Sequence, residues 1–382
     1  MRVSRSVAGL VVGCLATLLS VATSAAAAPS HGGLPEPATA SQAPSAPARW
    51  WRGQVHIHTN WTAVDDAVSW YRYHQYNFVS ITDLNEVTSV SGIKSLFDAP
   101  GKFLVIPGVE LSVASGGKFF DTLGLGGDSN RMLDAWRKQS TRHAVGSLNR
   151  QARSINEAGG LAVAAHPNFA WSWNDKHLLK TDPATVRHFE LRNAEHGMND
   201  LGGGGRPSTE EMWDNVLSTG RPLYALATDD SHHFDDFGTD DFFAGGIPYV
   251  QAKALPGRTS IFVRARELTP EAILSAISSG DMYAAYHPTN LPIEFDSYTA
   301  DQNGIRLKLP AVANDKGNTQ PGVNLTRYRT HFIGRGGRVL KVDESRRPSY
   351  RFTGTERYVR VRVQDSDGGL AWTQPVFVGS GR

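Results

Sequence analysis

The sequence predicts an α/β fold: a barrel of seven or so strands interleaved with helices, followed by a small antiparallel β-sandwich. Three observations lead there. After residue 51 short β-like runs alternate with helical stretches, which implies parallel strands joined by crossover helices. From about Leu291 the runs become short, alternating and broken by Gly, Pro and Asp, the texture of an antiparallel sandwich. The charge changes at the same place: residues 51–289 hold 21 Lys/Arg against 27 Asp/Glu, and residues 290–382 hold 15 against 9. The chain has 382 residues, 40% hydrophobic and 20% charged, with a net charge of +2. That suits one large and one small domain and excludes a disordered, collagenous or disulfide-stapled chain. An acidic larger domain does not suit a specific nucleic-acid partner.

Each segment follows in order. Residues 1–28 carry Arg2 and Arg5, an apolar run from Val7 to Val21, and small residues Ala25–Ala28, the pattern of a secretory signal peptide rather than a transmembrane anchor. Secretion is the expected localisation. The only cysteine, Cys14, lies inside this segment, so a mature chain has no disulfide, Cys nucleophile or Cys-metal site. Residues 29–50, rich in Pro, Ala and Ser, read as a linker, with the fold starting near Trp50. Within 51–289, strands are expected at Gln54–His58, Phe78–Thr82, Phe103–Leu111, Leu161–Ala165, His188–Leu191 and Leu223–Thr228, with Lys118–Leu125 as a hairpin arm. Helices are expected at Ala67–Gln75, across Asn130–Ala158 up to the Gly159–Gly160 stop, at Glu210–Leu217 and at Pro270–Ser278. Within 290–382, Tyr358–Gln364 puts Val359, Val361 and Val363 on one face and polar residues on the other. The acidic run 234–241 lacks the alternating ligands of a calcium loop and reads as a solvated loop near the barrel mouth.

The chemistry is carried by where histidines and acids fall. His56 and His58 form an H-x-H at the end of the first strand, so both imidazoles share a face. Successive strands end in further candidate ligands: Asp83, Glu110, His166, Glu190, Asp230 and His232. Strand C-termini of a β/α barrel converge on one mouth, where such a ring makes a polynuclear metal site with N and O ligands.

The ordered motifs VHIHTNW (55–61), ITDLN (81–85), IPGVELS (106–112), AAHPN (164–168), FELRNAEHG (189–197) and LATDDSH (226–232) resemble the PHP (polymerase and histidinol phosphatase) superfamily of metallohydrolases. Further stretches at 212–225, 268–285 and 358–378 are similar to its secreted, carbaryl-hydrolase-like branch. The resemblance implies a distorted (β/α)7 barrel holding two or three divalent metals, zinc or manganese before iron. It implies His56, His58 and Asp230 on a first metal, Glu110 bridging to a second, and His166 on the second with Glu190 or His196 as partner. A third would take His232 with Asp65 or Asp66. Glu110 and Asp230 are the carboxylates expected at the reacting centre, and Asn193 stands where the family places an Asn beside the site. One position departs: the usual Thr-Asp-His-Asn reads Thr82-Asp83-Leu84-Asn85, and Leu84 cannot ligate. Two well-held metals are therefore expected, with the third weakened or lost, or with Asp83 or a residue supporting the ligands substituting; Asp65, Asp66, Asp83, Glu190 and His196 stand as possible ligands or as residues that support them.

The resemblance, to a family that most often acts on phosphoesters, makes a secreted phosphoesterase, foremost a diesterase acting on small-molecule or lipid esters through a metal-activated water, the leading expectation. A carboxyl- or carbamate-ester hydrolase stands second and a non-catalytic binding protein third. The basic C-terminal region suits contact with an anionic surface.

Overall fold

Most of the hydrophobic alternation of the chain is spent on one large continuous sheet. The computed structural model describes residues 47–139, 141–234, 255–288, 291–311 and 326–379. The expected signal peptide, most of the linker and residues 235–241 of the acidic run lie outside the described residues. The fold starts with β1 (Arg49–Ile57), buried from Trp51 onward. It is followed by β2 (Phe78–Ile81), β3 (Leu104–Ser115), β4 (Lys118–Leu125), β5 (Leu161–Ala164), β6 (His188–Asn193) and β7 (Tyr224–Thr228). These seven neighbour one another in chain order. The pairs β1–β2, β2–β3, β5–β6 and β6–β7 are parallel. Past the end of β7 the chain returns to the first strand: Asp230 N–H donates to the His56 carbonyl and His58 N–H to the Ser231 carbonyl, both at 2.9 Å.

Strand–helix alternation breaks once. β3 and β4 form an antiparallel hairpin, turned by Gly116 and Gly117 at φ 59° and 72°. A two-residue turn with both φ positive matches the twist of the strands, and glycine adopts it without steric cost. The crossovers are α1 (Val64–Tyr73) between β1 and β2, α2 (Ser91–Phe97) between β2 and β3, then α3 (Ser129–Arg137) and α4 (Ala144–Glu157) before β5. A short α5 (Asp175–Leu178) precedes β6, and α6 (Thr209–Ser218) precedes β7. Ser208 and Glu211 close a capping box at the start of α6, satisfying orphan donors at both ends of the reciprocal pair. None of the described helices is long and apolar enough to cross a membrane.

The chain then adds β8 (Thr259–Ala265), α7 (Pro270–Ser279) and β9 (Met282–Tyr286). β8 runs antiparallel to β1, and β9 pairs with β8. After residue 290 come β10 (Ser297–Asp301), β11 (Gly304–Lys308), β12 (Tyr328–Gly334), β13 (Arg338–Asp343), β14 (Ser349–Arg351), β15 (Tyr358–Asp365), β16 (Leu370–Thr373) and β17 (Val376–Phe377). They form two layers. β10, β11 and β14 make a three-stranded sheet. Ile305 and Leu307 from it pack with Phe332, Val361 and Val363 of the other layer. That other layer is not a separate sheet. β16 takes the open edge of β9, so the sheet runs unbroken across 289/290.

Both faces of β15 are used. Val359, Val361 and Val363 are buried against the small sheet, and Tyr358 and Arg360 are buried on the other side. There the Arg360 guanidinium makes two bonds to Asp214 of α6, at 2.8 and 2.6 Å, and a third contact to Glu210 at 2.9 Å. Tyr358 Oη donates to the same Asp214 at 2.7 Å. A buried charge is tolerated only while its partner stays. Asp214→Ala is therefore expected to lower unfolding free energy by about 3–5 kcal/mol. Asp214→Ala with Arg360→Met should recover much of it, as read by chemical denaturation. Equal loss in the single and double variants would mean that packing, not the stranded charge, sets the cost.

Candidate metal centre

The H-x-H of β1 works because neighbours alternate: Val55 and Ile57 enter apolar clusters while His56 and His58 face inward, 0% and 1% exposed. Glu110 arrives from β3, and His166 and Asp230 from the first turns beyond β5 and β7. The last two hold φ of 26° and 50°. Non-glycine residues rarely occupy that region, and such strain persists where surrounding bonds over-determine the backbone.

The donor atoms meet in three groups that share members: His56 with Glu110 and His166; His56 with His58 and Asp230; and Glu195 with Asp230 and His232. In the second group, His56 Nε2 lies 3.1 Å from His58 Nε2. Asp230 Oδ1 lies 3.2 and 3.0 Å from those two nitrogens, and Glu110 Oε2 3.5 and 3.4 Å from them. The other oxygen of Glu110, Oε1, is 3.0 Å from His166 Nε2. His56 Nδ1 is 2.6 Å from Glu190 Oε1, a contact that would keep a proton on Nδ1 when Nε2 is deprotonated to ligate a metal. Two imidazole nitrogens and the Asp230 carboxylate oxygen meet at one point, with Glu110 Oε2 beside both nitrogens, and these are N and O donors of the kind that hold a tetrahedral ion. At metal–ligand distances of about 2.0–2.1 Å, the edges of that tetrahedron are ~3.3 Å, the scale of the separations found. Among the described residues, His58 Nδ1, His166 Nδ1 and Asp121 Oδ1 are buried without a hydrogen-bond partner.

Further residues orient the ligands. Asn193 Nδ2 donates to Glu190 Oε2 and Asp230 Oδ2, both at 3.0 Å. Thr228 Oγ1 donates to Glu190 Oε1 at 2.7 Å, and the His166 N–H to Glu190 Oε2 at 2.9 Å. Glu190 therefore holds His56 and His166 in place and joins none of the three groups.

Several expected ligands stand elsewhere. Asp83 is buried, but its carboxylate accepts from Thr59 Oγ1 at 2.6 Å, from Asn60 N–H at 3.1 Å, and from Thr59 N–H and Thr88 Oγ1. The reason is parity: Leu84, not Asp83, bridges Glu110 in parallel register and shares its face. Asp65 and Asp66 are exposed in the first turn of α1, outside every donor group. There they complement the helix dipole. His196 is exposed beside the site. The acid grouped with His232 is Glu195, whose Oε1 lies 3.6 Å from His232 Nδ1. A further carboxylate, Asp121 of β4, approaches His166 Nε2 at 3.7 Å. Neither Glu195 nor Asp121 was singled out from the sequence. Asp229, the neighbour of Asp230, turns away to accept from Tyr71 Oη and the N–H groups of Gly257, Arg258 and Thr259.

Burial dominates the electrostatics. It would lower the His166 imidazole, but Glu110 and Asp121 outweigh it and push His166 up to about 10. Burial also raises Asp121 to about 7 against the pull of His166, and with Asp230 raises Glu195 to about 9. Burial and the neighbouring His58 take His232 down to about 4.

No protein-family model matches the sequence, and no curated protein matches it. The chain overlaps solved structures at low similarity. An inferred metal-dependent phosphoesterase from Bifidobacterium adolescentis is 13% identical, with a TM-score of 0.34 over 47% of this chain and 86% of that one. PsfC from Pseudomonas syringae is 12% identical, with a TM-score of 0.39 over 63% and 93%. The lesion-specific endonuclease from Pyrococcus furiosus is 13% identical, with a TM-score of 0.34 over 60% and 56%. At these scores the overlaps carry no functional argument, which rests on the donor geometry.

Metal binding needs deprotonated ligands. His166 and Glu195, both raised, hold protons near neutral pH in the metal-free protein. Metal uptake should therefore release protons, and apparent affinity should fall as pH is lowered from about 9 to about 6. Calorimetric titrations in buffers of different ionisation enthalpy check this; a heat independent of the buffer would contradict it.

Proposed function

We propose that this chain is a metal-dependent hydrolase of the PHP type, acting on phosphoesters and preferring diesters. The observation that carries this reading is the sharing of Glu110, one oxygen toward His56 and His58 and the other toward His166. A carboxylate so placed is suited to bridge two divalent ions. Their His and carboxylate donors favour zinc or manganese, with iron next.

Divalent ions bound there would lower the pKa of a water molecule and polarise the ester oxygen, so no Ser or Cys nucleophile is required. The chain's own residues supply the rest. Glu190 fixes the His56 ring through Nδ1. Asn193 locks Glu190 to Asp230, so the ligands cannot rotate independently. Buried walls keep bulk water from the reacting centre.

The preference for diesters follows from charge. Among the described residues, Glu110, Glu190 and Asp230 pair with histidines, not with Lys or Arg. With the charge of bound ions largely balanced by these carboxylates, no Lys or Arg paired with them is there to match the second charge of a dianionic monoester, which favours a monoanionic diester. The same argument gives weight to a second reading, hydrolysis of neutral carboxyl or carbamate esters by the same water. The expected signal peptide makes export part of the proposal, and the basic residues after 290 make contact with an anionic surface part of it.

The test is elemental analysis and turnover of the purified mature chain with zinc, manganese or iron. Bis(p-nitrophenyl) phosphate, p-nitrophenyl phosphate and p-nitrophenyl acetate distinguish the diester, monoester and carboxyl-ester readings. His56→Ala should lose bound metal and activity together. Asn193→Ala should cost about 10–100-fold in metal affinity or activity, as for a group that orients ligands. A fully active His56→Ala enzyme, or a chain that takes up no metal, would overturn the reading.

A further inference from the structure

The lip of the metal centre carries two side chains that nothing in metal binding requires. Trp61 is 59% exposed and Leu84 38% exposed. Single exposed apolar residues are ordinary on a protein surface, but the placement of these two is not independent of the site. The Trp61 ring meets His232 edge-on, with centroids 4.9 Å apart, and lies 6.1 Å from the His58 ring. His58 and His232 stack on each other at 4.4 Å with planes 3° apart. Trp61 thus stands over a pair of candidate ligands with most of its indole open. Leu84 leaves the backbone on the same face as Glu110, because the two are bridged in parallel register.

The two loops that carry them are tied to each other. Asp83 takes the N–H groups of Thr59 and Asn60 and the hydroxyls of Thr59 and Thr88. Asn60 replies in the other direction: its Oδ1 accepts from Leu84 N–H at 3.2 Å, and its Nδ2 donates to Glu86 at 3.0 Å. Each loop therefore holds the residue next to the other's apolar side chain. A carboxylate buried at 1% exposure and used to join two loops, rather than to ligate, is a positioning device.

We propose that Trp61 and Leu84 form an apolar rim that receives a ring-bearing, uncharged substituent of the substrate, and that Asp83 is the positioning residue that sets this rim. The inference rests on the metallohydrolase reading above and adds the chemistry of the group beside the scissile bond. Ligand sites typically combine apolar walls with a few polar groups that fix orientation. Here the polar groups are the metal ligands on the floor and the apolar wall is the rim. Flat contact with an indole favours an aromatic ring over a methyl group, by the scale of one aromatic pair.

The experiment uses two phosphonates that cannot be hydrolysed, phenylphosphonate and methylphosphonate, binding to the metal-loaded full chain by calorimetry. Kinetics follow with a phenyl and a methyl ester sharing the same p-nitrophenyl leaving group. The wild-type chain should bind phenylphosphonate about tenfold more tightly. Trp61→Ala should bring the ratio near one with methylphosphonate binding unchanged, and Trp61→Phe should keep most of the preference. Trp61 is exposed, so its substitution does not threaten the core. Asp83→Asn should lose the ring preference while retaining metal content, which a ligand's loss would not do. Equal binding of the two phosphonates by the wild-type chain, or an unchanged ratio in Trp61→Ala, overturns the rim alone. Loss of metal in Asp83→Asn overturns its positioning role. If neither phosphonate binds the metal-loaded chain, the rim and the phosphoester reading fall together.

Discussion

Everything near the mouth of the sheet depends on one crowded imidazole. His56 is fully buried, and Glu110, Glu190 and Asp230 all approach it within 3.5 Å. Three carboxylates packed so closely in a site of low dielectric repel one another, and desolvation adds to the cost of each charge. In the metal-free chain a proton on His56 offsets this, and the carboxylates raise that imidazole well above its ordinary range although burial opposes them. A divalent cation would offset it better. The hydrogen bonds of Asn193, Thr228 and the His166 amide prevent the acids from swinging apart. The site is therefore held under electrostatic tension by its surroundings, as preorganised metal centres are.

The principal candidate ligands were legible because alternation in strands is strict and parallel strands end on one side. His56, His58, His166 and Asp230 lie at or just past strand ends, and Glu110 lies midway along β3, just beyond the part of it paired with β2. Other residues at the site depart from that pattern for identifiable reasons, and of these only Asp121 and Glu195 went unread. β4 runs antiparallel, so Asp121 reaches the site from near the start of its strand, where a rule about strand ends does not look. β6 has a register shift between Glu190 and Arg192, which lets Glu190 and Asn193, three residues apart, both bond at the site. The chain then turns so that Glu195, not His196, faces His232. Of the two roles the sequence left open for Asp83, ligand or support, its bonds favour the second: it sits at the end of β2, one residue out of phase with Leu84.

The C-terminal strands were legible one at a time, since their alternation is local. Their attachment was not. No pattern in Tyr286 or Leu370 announces that β9 and β16 pair, because backbone hydrogen bonding leaves no signature in side-chain identity. The apolar face of β15 was evident from Val359, Val361 and Val363. The role of Arg360 on the opposite face depends on Asp214, 146 residues away, a partnership that composition cannot reveal.

That attachment bears on the metal centre itself. β7 delivers Asp230 and His232, and beyond its pairing with β6 its Ala225 backbone needs a partner. Gln374 provides one: its side-chain carbonyl accepts from Ala225 N–H at 2.9 Å, and its amide donates to the Ala225 carbonyl at 2.8 Å. A single side chain thus imitates a strand at the open edge. Together with the bonds from Arg360 of β15 to Asp214 and Glu210 of α6, which precedes β7, it places the C-terminal layer behind the strand that carries two candidate ligands. The region after residue 290 is therefore part of what fixes the position of Asp230, and the two halves read from the charge pattern share one mechanical frame.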